Sequence, residues 1–174
     1  FLTGNIALWA FLERIGAAIP IAAAQMGIVF AVLKLLGGVA AFSVAAVGDR
    51  AGQRAPYVVV LVGVAAGLAL LAGAKGFLSF ALGAWIWEFA FTCGCVFQAA
   101  LIARHDVSGR AVVLIPAVFA LGSMVGPGIA GNLVTGGSFA SLLLLALACT
   151  VVPVLAHSVG RRSAYTGPIA RSVP

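Results

Sequence analysis

Polar side chains inside long apolar runs are where this chain could do chemistry. Trp85, Glu88, Thr92 and Cys95 recur at steps of three and four, with Gln98 beside them. That spacing predicts one helical face. Asn5, Trp9 and Glu13 repeat the pattern at steps of four, again joining a tryptophan to a glutamate. A carboxyl at membrane depth is poised between protonated and charged forms, because burial disfavours the anion while a nearby cation favours it. Glu88 is therefore expected to take up and release protons or to meet a substrate. The alternative is structural: Glu88 satisfied by Lys34 or a tryptophan N–H as interhelical glue. Lys34 shares a face with the small residues Gly37, Ala41, Ala45 and Gly48, and its long stem could still reach inward. Glu13 and Arg14 are adjacent, and an ion pair at the membrane edge is expected there.

The elements that must position these residues follow from composition. Of 174 residues, 63% are hydrophobic and 8% charged, against roughly 25% charged in a soluble domain. Segments 15–33, 55–74 and 111–160 carry no Asp, Glu, Lys or Arg. A bilayer core takes about 20 apolar residues per helix. Breakers and charges then predict an all-α bundle of six membrane-spanning helices at 1–17, 23–47, 56–73, 77–103, 110–134 and 139–159, with a tail over 160–174. The chain opens at Phe1 inside an apolar run, so the first helix is expected to lack its beginning.

Alternating spans would put Arg50, Arg54, Arg104, Arg110, Arg161, Arg162 and Arg171 on one side and Lys75 on the other. The excess of basic residues in cytoplasmic loops assigns that arginine side, and the C-terminus, to the cytoplasm. The net charge of +6 thus reports orientation in the membrane and not a nucleic-acid partner. Cys93, Cys95 and Cys149 all lie in apolar runs, offering neither a disulfide framework nor metal-ligand spacing. No serine nucleophile in a Gly-x-Ser-Gly setting and no HExxH pattern occurs, so an enzyme is not expected, nor a cofactor or metal.

The run Gly48-Asp49-Arg50-Ala51-Gly52-Gln53-Arg54 between the second and third spans resembles the signature loop of the major facilitator superfamily, G-x-x-x-D-R-x-G-R-R. Ala45 stands at the first glycine position and Gln53 at a basic one, as in the weaker copy that family carries in its second half. Leu12-Glu13-Arg14-Ile15-Gly16 and Ser108-Gly109-Arg110 resemble segments of bacterial members. The run from Gly122 to Gly131, with Gly126-Pro127 inside it, resembles the G-x-x-x-G-P-x-x-x-G element of many exporters. The resemblance covers essentially the whole chain as a C-terminal half of six spans, built from two inverted three-helix repeats.

It implies a secondary transporter of a small solute in a bacterial inner membrane, working by alternating access and coupled to protons. It further implies that Asn5, Trp9, Trp85 and Glu88 line the cavity and that Gly48, Asp49, Arg50, Gly52 and Arg54 form a cytoplasmic gate. Spacing alone also allows that loop to be a solvated turn enforcing topology. Gly122, Gly126, Pro127 and Gly131 are expected to serve helix packing through small residues, with kinks at the prolines. The implied partners are lipid, a small-molecule substrate, protons, and either a missing N-terminal six-helix half or a second copy. The competing reading is a truncated or half-size membrane protein that transports nothing alone.

Overall fold

The computed structural model describes residues 1–52, 55–134 and 138–165, with side-chain surroundings for all of these except 49, 51 and 157–165. Six helices follow in order: α1 (Leu2–Ala17), α2 (Ala23–Val47), α3 (Ala55–Ala72), α4 (Phe77–His105), α5 (Arg110–Leu133) and α6 (Ala140–Tyr165). A single 3-10 turn, Gly48–Ala51, follows α2. Starts and stops fall within a few residues of those expected, except that the backbone of α6 continues past 159 to Tyr165.

Local chemistry marks the ends. The Gln25 side chain accepts the Ala22 N–H at 3.1 Å, opening α2. Gly48 stops that helix at φ +50, a conformation that costs a side-chain-bearing residue far more than glycine. Ser79 Oγ accepts the Lys75 N–H at 3.3 Å ahead of α4. Before α5, Asp106 accepts the Val112 N–H at 2.9 Å and the Ser108 hydroxyl at 2.9 Å. Those backbone bonds, led by Val112, hold the Asp106 carboxyl below its ordinary range.

Among the described residues four helices, α2 to α5, are long and apolar enough to cross a bilayer. The two outer helices have shorter described apolar stretches. With 16 residues, α1 extends only about 24 Å at 1.5 Å per residue, short of a hydrocarbon core of about 30 Å. The apolar described stretch of α6, Ala140–Ala156, is also short.

Close contacts fix the directions. Gly63 lies against Ala90, Gly67 against Trp87 and Gly83 against Leu71, so α3 and α4 run antiparallel. At Gly67 an added Cβ would fall 2.6 Å from the Trp87 nitrogen, so only a glycine lets these backbones approach so closely. Val29 pairs with Trp85 and Ala40 with Cys93, so α2 and α4 run parallel. Phe1 packs on Phe91 and Asn5 meets Trp87, so α1 opposes α4. The Gly48 turn and the 106–109 turn consequently share one end of the bundle. The chief packings are α3 on α4, α2 on α4, α1 on α5, α1 on α6 and α3 on α6. The buried core runs through Leu8, Leu12, Leu33, Val64, Phe80, Trp87 and Leu142.

Candidate functional site

Two polar clusters stand side by side in the bundle. The first is built on Asn5, which is fully buried. Trp87 Nε1 donates to Asn5 Oδ1 at 2.9 Å, and Asn5 Nδ2 donates to Thr150 Oγ1 at 3.1 Å and to the Phe1 carbonyl at 3.0 Å. The Thr150 hydroxyl in turn donates to the Ala146 carbonyl at 2.9 Å. Trp87 also stacks on Phe91, 5.8 Å between centroids and 2° from parallel. The node ties α1, α4 and α6 together with each of these donors and acceptors used.

The second cluster faces α2. Glu88 is 7% exposed. Its Oε1 accepts the Thr92 hydroxyl at 3.5 Å, while Oε2 is buried with no hydrogen-bond partner among the described residues. Gly37 gives the pair room: an added Cβ there would sit 3.7 Å from both Glu88 Oε1 and Thr92 Oγ1. Trp85 is anchored by donating Nε1 to the Val29 carbonyl at 3.2 Å. Lys34 is exposed, and its Nζ lies 4.4 Å above the Trp9 ring, within cation–π range. Trp9 meets Phe30 edge-on at 6.4 Å. Among the described residues no ion pair joins Lys34 to Glu88.

Several expected site residues therefore sit elsewhere. Asn5 does not share an open face with Trp9 and Glu13: it is in the core, whereas both of those are exposed. Each four-residue step overshoots a helical turn by about 40°, so the stripe turns off the core. The α4 stripe divides because each three-residue step falls short of a helical turn by about 60°, which carries Cys95 and Gln98 round the helix. Trp85, Glu88 and Thr92 lie toward α2, whereas Cys95 and Gln98 line a cavity of about 260 Å³ with Phe1, Ile115 and Phe119. The expected Glu13–Arg14 ion pair is not formed among the described residues. Neighbours on a helix point about 100° apart, and Arg14 places its guanidinium 5.1 Å from the Phe11 ring.

In the loop after α2, Gly48 and Gly52 have φ of +50 and +62, and Arg50 is exposed. The Asp49 side chain and Arg54 lie outside the described residues. Gly122 and Gly126 are buried against α1, where a Cβ on Gly126 would come 2.8 Å from the Thr3 carbonyl oxygen. Gly131 is exposed and meets nothing within 4 Å among the described residues. The helix continues unbroken through Pro116 and half-buried Pro127. Among the described residues no group of three His, Cys, Asp or Glu side chains could hold a metal.

Sequence reasoning missed Trp87 and Thr150. Trp87 is two residues from Trp85, hence on nearly the opposite side of α4. Thr150 had one visible signal, an isolated hydroxyl deep in the apolar run after residue 139.

Fold and site together define a class, a membrane-embedded all-helical protein with one satisfied and one unsatisfied polar cluster within its bundle. Compared with family models, curated proteins and solved structures, the chain matches none.

Proposed function

We propose that this chain is one half of a secondary transporter of the major facilitator type, crossing the inner membrane of a bacterium six times with its C-terminus in the cytoplasm. It moves a small solute by alternating access, with proton coupling through Glu88. The observation that carries this reading is the buried Oε2 of Glu88, unpartnered among the described residues, on a side chain facing a small-residue stretch of α2. An intramembrane carboxyl without a fixed partner is the kind of group that exchanges protons.

Topology supports it. Exchanging α1 with α4, α2 with α5 and α3 with α6 carries the packing of α2 on α4 into that of α5 on α1, and α3 on α4 into α6 on α1, while α3 on α6 maps onto itself. With α1 opposing α4, this pattern supports a reading as two inverted three-helix repeats, as in transporters built that way. The glycine-bounded turn 48–52 and the turn 106–109, with Arg104 and Arg110 flanking it, lie at one end. Lipid vesicles holding this chain together with the other six-helix half provide the test. Solute uptake should respond to an imposed pH gradient, and Glu88→Gln should abolish that response. Uptake whose pH dependence survives the substitution overturns the role of Glu88.

A second reading has its own observation. Helices α2 and α5 are the least buried of the four long apolar helices, as expected of surfaces that meet another six-helix half or a second copy. Vesicles holding this chain alone would then transport nothing, and light scattering of the detergent-solubilised protein would separate a dimer from an inert monomer.

A further inference from the structure

Lys34 stands near the midpoint of α2, exposed, with its ammonium on the face of Trp9. A lysine turned to acyl chains at that depth costs about 2.5–3.5 kcal/mol, so this face belongs against water or protein. Glu88 lies behind it, its free oxygen with almost no accessible surface. Glu13, one turn beyond Trp9 toward the end of α1, lines an open cavity of about 440 Å³ with Met26, Gly27 and Phe30. Of the two rings only Phe30 lines that cavity; Trp9, edge-on to Phe30, and the Lys34 ammonium are exposed beside it. The buried carboxyl is within reach of a proton but not of a bulky cation.

That order of exposure selects the sign of the ligand. An ammonium has three N–H donors, and the aromatic face that Lys34 covers can attract its charge but cannot replace a carboxylate's charge-assisted hydrogen bonds. Trp9 and Phe30, set edge to face, offer an apolar shelf beside it. Glu13, near Phe30, repels a second negative group and so confines the ligand's charge to the Lys34 end. We propose that Lys34, Trp9 and Phe30 form a binding site for an amphipathic organic monoanion, its carboxylate on Lys34 Nζ and its flat apolar body on the two rings. The site rests on the transport reading for the aqueous side it faces, and it supplies that reading with a substrate class.

Binding separates the two. Equilibrium dialysis of the purified chain in neutral detergent, corrected against empty micelles, would compare 1-naphthoate, its neutral amide and 1-naphthylmethylammonium. Naphthoate is expected to bind about tenfold or more tighter than the amide, the usual size of one charge-assisted bond. Lys34→Gln should erase that preference, Lys34→Arg should keep it, and Trp9→Ala should weaken acid and amide alike, with helical circular dichroism unchanged throughout. Equal affinity for acid and amide, tightest binding of the ammonium compound, no saturable binding, or a preference that survives Lys34→Gln each overturns the site. Anion binding without any uptake into vesicles that hold both six-helix halves would sink the transport reading and leave the site standing. Uptake without anion selectivity would do the reverse.

Discussion

The two polar clusters differ in how completely they are satisfied. Around Asn5, three helices converge and the amide spends both ends on fixed partners. Around Glu88, one oxygen holds a long bond to Thr92 and the other holds none, while the nearest lysine rests on an aromatic ring. A fully used hydrogen-bond network specifies one arrangement of helices. A half-used one leaves room for a proton or ligand to change the balance. The same bundle thus carries a clamp and, less than two helical turns away along α1 and α4, a group free to respond.

Substitutions can break that contrast. The largest stability change is expected for Asn5→Leu, which strands the Trp87 N–H and removes the donor to Thr150 Oγ1 and the Phe1 carbonyl, while the Thr150 hydroxyl keeps its bond to Ala146. A loss of about 2 kcal/mol, within the penalty for an orphaned buried polar group, should be read from reversible unfolding in mixed micelles. Gly126→Ala presses a methyl toward the Thr3 carbonyl and should cost about 1 kcal/mol, the low end of overpacking. Gly37→Ala meets its neighbours at ordinary contact distance, 3.7 Å, and should stay within about 0.5 kcal/mol in the same assay. Glu88→Gln should likewise leave unfolding within about 0.5 kcal/mol, because no strong partner is lost. A loss matching that of Asn5→Leu would mean that Glu88 is structural glue.

The smallest effect belongs to the 106–109 turn. With its pKa lowered by the Val112 N–H, Asp106 supports the start of α5 at pH above its unfolded value of about 3.9. That support fades as pH falls through the lower folded value. The protection factor of the Val112 amide, with intrinsic exchange divided out, should therefore fall on acidification while those at Asn5 and Trp87 hold, and Asp106→Asn should remove most of that fall.

Helix positions were legible because charges, prolines and glycines punctuate the apolar runs: Gly48, Gly76 and Gly109 fall where helices stop or start. Which residues share a site was less so. Counting by fours placed Asn5 beside Trp9 and Glu13, but the drift of a 3.6-residue helix carries it into the core. Partners on other helices were invisible to spacing. Nothing in the order of residues announces that Asn5 waits for Thr150, or that Lys34 chooses Trp9 over Glu88.

The bond from Asn5 to Thr150 spans 145 residues, and that separation sets a schedule for biogenesis. The α3–α4 hairpin, closed by a short connection, has all its parts as soon as α4 leaves the ribosome. Asn5 has Trp87 by then, but at synthesis rates of about 5–20 residues per second its remaining partner arrives roughly 7–30 s after it does. Until α6 inserts, the nascent bundle carries an open amide donor in its middle, and the arrival of α6 closes it.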